Sequence, residues 1–118
     1  MNDTALYGLL SAALPHKVFK ALAPMQTREP YVIYAMVTAV PQNTLCGYMR
    51  ADEVHYRIDS YAGTDAEASQ IMERIKRYLR AAADPPLVWS EQELYEQDTR
   101  IHRRSIDIST WYEPEQRT

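Results

Sequence analysis

The sequence predicts an α+β fold: a mainly antiparallel sheet of four to five strands with two main helices. Three observations carry this. Glu53–Ala83 reads as a strand that turns directly into a helix. Tyr31–Val40 is dense in Tyr, Val, Ile and Thr, the residues that favour strands. Leu87–Tyr112 reads as two strands around the polar turn Glu96-Gln97-Asp98-Thr99.

The elements can be justified in chain order. Asn2 or Asp3 can cap a first helix over Thr4–Leu14, with Leu6, Leu9, Leu10 and Ala13 on one face. Pro15 stops it. Val18 and Phe19 suggest a brief edge strand, and Ala23–Pro30, with two prolines, reads as a loop. Tyr31–Val40 is apolar on both faces: Tyr31, Ile33, Ala35 and Val37 on one, Val32, Tyr34, Met36 and Val40 on the other. An antiparallel sheet normally shows water one polar face. Either the N-terminal loop or a helix on each face covers the second side, or a neighbouring subunit does. Pro41–Asp52 reads as a long connection that carries the apolar residues Leu45, Tyr48 and Met49. Apolar residues on a loop suggest a contact site, the alternative being a loop folded back on its own domain.

In the organising stretch, Val54, Tyr56 and Ile58 alternate with His55, Arg57 and Asp59, the period of a half-buried strand. Thr64 stands three residues before Glu67, a capping-box spacing. Ala68, Ile71, Met72, Ile75, Leu79 and Ala82 follow at helical spacing, and the double proline Pro85-Pro86 closes the segment. In the last strand Ile106, Ile108 and Tyr112 point one way, and Asp107, Ser109 and Trp111 the other.

Composition bounds the function. The 118 residues suit one domain, 1–118. A net charge of −3 argues against a general nucleic-acid binder. The single cysteine, Cys46, cannot form an internal disulfide and fits a reducing compartment. No apolar run reaches the ~18–20 residues of a membrane span, and no signal peptide is read.

No constellation points to chemistry. His16, His55 and His102 are scattered and lack zinc-site spacing. Cys46 has no nearby histidine to activate it. The three glycines, Gly8, Gly47 and Gly63, form no phosphate loop. Asp59 is expected to pair with Arg57 or a basic residue across the sheet. Arg100, His102 and Arg104 share a strand face, with Glu91, Glu93 and Glu96 as natural partners. Arg74, Lys76, Arg77 and Arg80 lie on the polar side of the second helix, either solvated or facing another subunit. Trp89 and Trp111 sit on the two arms of the last hairpin and can form a cross-strand aromatic pair.

The order of elements resembles a known family. The resemblance is carried by Glu29-Pro-Tyr-Val-Ile-Tyr, Val40-Pro-Gln-Asn-Thr-Leu-Cys-Gly-Tyr, and Val54-His-Tyr-Arg-Ile-Asp-Ser-Tyr-Ala before a helix opening with Asp65-Ala-Glu-Ala. Glu93-Leu-Tyr-Glu-Gln-Asp-Thr and Arg104-Ser-Ile-Asp-Ile-Ser-Thr-Trp-Tyr complete it. Together they are similar to the tail completion proteins (tail terminator or head–tail joining proteins) of long-tailed bacteriophages and prophages. The resemblance implies a structural subunit that assembles with itself into a ring, most often a hexamer, at the head-proximal end of the tail tube. It implies tail tube protein and head–tail connector proteins as partners, and DNA only as cargo through the ring. It implies no membrane, no catalytic residues, no metal and no cofactor. The location implied is the virion tail, reached from the host cytoplasm during assembly. On this reading Asn43, Leu45, Tyr48 and Arg50 contact partners, and the sheet edge or the face with Tyr34 and Met36 serves the oligomer interface. The alternatives are a portal-side head–tail connector subunit and, from another class, a monomeric small-ligand-binding or enzymatic module built around Asp59 and His55.

Overall fold

The computed structural model describes residues 3–24, 27–44, 47–82, 85–97 and 99–112, apart from the side chains of 39–52 and 112. The elements run α1 (Asp3–Ala13), β1 (Val18–Lys20), β2 (Tyr31–Thr44), β3 (Gly47–Ala62), α2 (Asp65–Arg80), β4 (Leu87–Glu96) and β5 (Ile101–Tyr112). The five strands form one sheet in the order β1-β2-β3-β5-β4. β1 runs parallel to β2, and the other three pairs are antiparallel. The fold is α+β, as the periodicities indicate.

Both helices pack on the same face of the sheet. The apolar stripe of α2, Ile71, Met72, Ile75 and Leu79, joins Leu6, Leu10 and Ala13 of α1 in one core. The sheet contributes Val32, Tyr34, Val54, Tyr56, Ile58, Ile106 and Ile108 to it. Every second residue of β3 faces the helices, which is why Val54, Tyr56 and Ile58 are buried. The arrangement with one helix on each face is thereby overturned.

α2 is held at its start by the Thr64 hydroxyl, which accepts the Glu67 N–H at 3.1 Å. The buried Ser60 hydroxyl donates to the Ala68 carbonyl at 3.0 Å and ties the helix to β3. Arg74 donates to the Ala13 carbonyl at 2.9 Å and links the two helices. Asp3, at the start of α1, accepts from Lys20 and from the Tyr56 hydroxyl. These contacts hold the Asp3 carboxyl below its usual range, the Lys20 bond first and the Tyr56 bond second.

The stretch Pro41–Asp52 corrects the sequence reading. It is not a connecting loop but the far end of the β2–β3 hairpin. Pro41 lies opposite Asp52, Asn43 opposite Tyr48 and Thr44 opposite Gly47. Two circumstances let a proline stand in this strand. The register shifts between Pro41 and Asn43, and bulges accept proline. β1 also flanks β2 only from Val32 to Tyr34, so beyond that point the outer edge of β2 needs no donor from Pro41.

Thr64→Ala is expected to lower stability by ~1 kcal/mol through loss of the cap. The midpoint of a urea melt checks this. An unchanged midpoint would show that the cap contributes nothing.

Candidate assembly surfaces

With both helices on one side, the opposite sheet face is left open. β1 and β2 place Phe19, Tyr31, Ile33 and Ala35 on it, all half-buried, and Val37 at its exposed end. An aromatic row crosses one end of this face. Phe19 meets Tyr31 edge-on at 6.5 Å, and Tyr31 stacks on Tyr61 at 4.7 Å and 15°. Arg103 lies over the Tyr61 ring at 5.7 Å and reaches its hydroxyl at 3.3 Å.

The β3–β5 half is polar. Arg57 pairs with Asp107 at 3.0 Å, because the register sets these two opposite each other. Asp59 therefore does not pair with Arg57, as the sequence suggested. It lies opposite Ser105, and its Oδ1 is buried without a hydrogen-bond partner among the described residues. Burial pushes the Asp59 carboxyl above its usual range, and the Ser105 hydrogen bond with the Arg103 and Arg57 charges offsets only part of this. Arg103 Nε close by is likewise buried and unpartnered among the described residues.

The His55 ring Nε2–H donates to the Glu53 carboxylate at 2.9 Å, and the ring stacks against Trp89 at 6.2 Å. The expected Trp89–Trp111 cross-strand pair is not set by the register. Leu87 lies opposite Ser109, so Trp111 stands beyond the start of β4, while Trp89 occupies a bulge near Ile108. No group of three or more His, Cys, Asp or Glu suited to a metal occurs among the described residues. Among the described residues no helix is long and apolar enough to cross a membrane.

On the helix side, the expected charge ladder forms around Arg104. It meets Asp65 at 3.4 Å, Glu91 at 3.5 Å and Glu93 at 3.6 Å. Glu96 instead meets Arg103 at 3.7 Å on the opposite face. Arg100 takes no part in the strand face. It sits in the turn with φ 57. Lys76 is also not merely solvated, since it bridges Glu73 and Glu91 at 2.7 Å each and ties α2 to β4.

The expected contact residues fall in two places. Tyr34 is 4% exposed, in the core and 6.4 Å from the Tyr7 ring, whereas Met36 is 54% exposed. Tyr34 thus serves its own subunit's core, and Met36 is the member of the pair open to a partner. Asn43, Tyr48 and Arg50 lie on the hairpin arm, with their backbones in β2 and β3. Leu45, like Cys46, lies outside the described residues. Sequence reasoning named Val37 only as part of an apolar strand face and did not single out Trp89 as a contact candidate. The uncompensated apolar character of β2 and the isolated tryptophan were the signals available.

Comparison with known proteins now bears on this geometry. Residues 1–113 match the family described as "Tail completion protein gp17". The chain belongs to the tail completion protein gp17 family. It is therefore a structural tail protein of phage type, from a family of structural proteins rather than enzymes. Its fold is similar to that of a chain in the structure titled "Virion of native gene transfer agent (GTA) particle". The TM-score is 0.69 with 12% identity, over 90% of each chain. At that identity the likeness concerns the fold. The comparison with curated proteins gives no match.

The Asp59 geometry sets a pH dependence. A carboxyl whose pKa is raised on folding makes the folded state hold more protons than the unfolded one between the two pKa values. Its contribution to stability therefore falls as pH rises through that window. Asp59→Asn is expected to stabilise the subunit at pH 7, with the gain fading as pH drops toward the ordinary carboxylate value of ~3.9. Paired denaturation curves at pH 4 and pH 7 check this. Asp59→Asn less stable than the parent at pH 7 would contradict it.

Proposed function

We propose that this tail completion family member, acting as one domain over residues 1–118, is a tail terminator subunit. Copies assemble into a ring, hexameric on the family's pattern, at the head-proximal end of the tail tube. The ring stops tube growth and offers the surface on which the filled head docks. Assembly takes place in the host cytoplasm, and the product resides in the virion tail.

One observation carries this reading: the sheet keeps an apolar strand, β2, on a face that neither helix covers. Ile33 and Ala35 are half-buried there and Val37 is exposed, with Met36 exposed on the other side of the same strand. An unpartnered apolar surface on a structural protein is supported best by contact with other protein. Contacts between unlike surfaces of identical subunits close into a ring when the rotation closes. Among the described residues the hairpin arm, with the backbones of Asn43, Tyr48 and Arg50, extends past the strands that flank it, and with Leu45 of the same stretch it is suited to meeting tail tube or connector proteins.

Two measurements test the proposal. Light scattering of the purified protein, alone and with tail tube protein, is expected to show a ring-sized species. Leu45→Asp with Tyr48→Asp is expected to leave circular dichroism and the thermal melt unchanged while abolishing co-purification with tail tube protein. A double variant that unfolds would place these residues in the subunit's own core. Retention on portal protein instead of tail tube would identify a portal-side connector.

A further inference from the structure

The two free edges of the sheet complement one another, and we infer that β4 of one copy joins β1 of the next in an antiparallel contact. This rests on the ring reading and names the surfaces that would build it.

β4 is the outermost strand at one side and β1 at the other. β4 is poorly covered within its own subunit. Its first seven residues are all exposed, and they include Leu87 and Trp89, 58% and 59% exposed. Its charged residues are all acidic: Glu91, Glu93 and Glu96. The opposite edge, His16–Leu22, carries Lys17 and Lys20 and no acid. It ends on Leu22, 79% exposed, just after Ala21 turns the chain with φ 68. Each edge therefore offers one apolar end and one charged end, of opposite sign.

Direction provides an independent check. Along β4 the apolar residues come first and the acids later. Along the β1 edge the lysines precede Leu22. Matching apolar to apolar and acid to base requires the two edges to run antiparallel. The sheet's own topology asks for the same. β1 is parallel to β2, and three antiparallel steps then lead to β4, so β4 runs opposite to β1. In a ring generated by rotation about an axis along the strands, each copy keeps its strand direction. β4 then meets its neighbour's β1 antiparallel. A two-fold β4–β4 contact would instead bring the acidic edges of both copies together, which like charges oppose.

β1 spans three residues, so the shared ladder is short. Side-chain burial of Leu22 against Leu87 and Trp89, with the Lys–Glu contacts, supplies most of the interface. Lys20 already pairs with Asp3, and Glu93 lies 3.6 Å from Arg104. Both side chains nonetheless keep more than half of their surface exposed, which leaves room for a second partner.

Charge reversal tests this. Glu93→Lys with Glu96→Lys on one edge, and Lys17→Glu with Lys20→Glu on the other, are each expected to weaken self-association roughly tenfold or more. Combining all four in one chain, or mixing the two double variants, is expected to restore it. Sedimentation velocity across protein concentration reads the association, and a thermal melt confirms folding. Trp89→Ser provides a second, uncharged probe with the same expected weakening. Self-association of the parent that survives both reversals and Trp89→Ser would overturn the edge contact while leaving the ring standing. A parent that never self-associates, even with tail tube protein, would overturn the ring itself.

Discussion

The packing of both helices against a single sheet face governs the rest of this molecule. Ile71, Met72, Ile75 and Leu79 of α2 and Leu6 and Leu10 of α1 meet the same set of strand residues, Ile58, Ile106 and Ile108 among them. Fully burying each such side chain contributes roughly 1.5–3 kcal/mol. That single layer is a sufficient core for a chain of this size. It also uses both helices. The other elements of the described chain are strands of the same sheet, so among the described residues no helix lies over the second sheet face. That allocation is what makes the proposed contacts with other copies and other proteins physically reasonable.

The open face is not uniform, and the difference has a cause. β2 is its apolar half, with Ile33, Ala35 and Val37 on the side away from the helices. β3 and β5 are its polar half, with the Arg57–Asp107 pair and the His55–Glu53 pair. Among the described residues, Asp59 Oδ1 and Arg103 Nε are the buried polar side-chain atoms of this half without a hydrogen-bond partner. A buried carboxylate oxygen without a donor is unfavourable in a lone subunit. A partner that brings a donor to this spot would turn that liability into a specific contact. Apolar area on β2 and an unmet acceptor on β3 thus place attraction and specificity on neighbouring strands.

Much of the fold was legible in the sequence because it rests on local periodicity. The alternation around Tyr56 and Ile58, the spacing of the α2 stripe and the Thr64 cap all depend on residues close together in the chain. What was not legible depends on register and on where elements stop. Arg57 and Asp59 are two residues apart on one face, and sequence alone offers Asp59 either Arg57 or a basic residue across the sheet. Register assigns Asp107 to Arg57 and Ser105 to Asp59. Tyr34 and Met36 share a face, yet only Tyr34 is buried. Met36 is opposite the buried Tyr56, whose hydroxyl donates to Asp3 at the start of α1, yet Met36 itself is 54% exposed. The candidate contact surfaces were legible as excess apolar character on β2. Whether a helix would cover it was not, since nothing local tells a helix which sheet face to take.

The hairpin arm shows how far local rules reach. Pro41 and Asn43 are loop formers by propensity, and the tertiary setting overrides them: a bulge absorbs the proline, and the outer edge of β2 asks no hydrogen bond of it. β5 supports β3 as far as Asp52, opposite Tyr112. Among the described residues, the arm beyond Asp52 consists of β2 and β3. A two-stranded ribbon is marginally stable in water by itself. Contact with a partner would then add both binding energy and a third support for the ribbon. On the proposed reading the arm's stability would depend on docking, since the proposed contact residues sit where the described sheet holds them least.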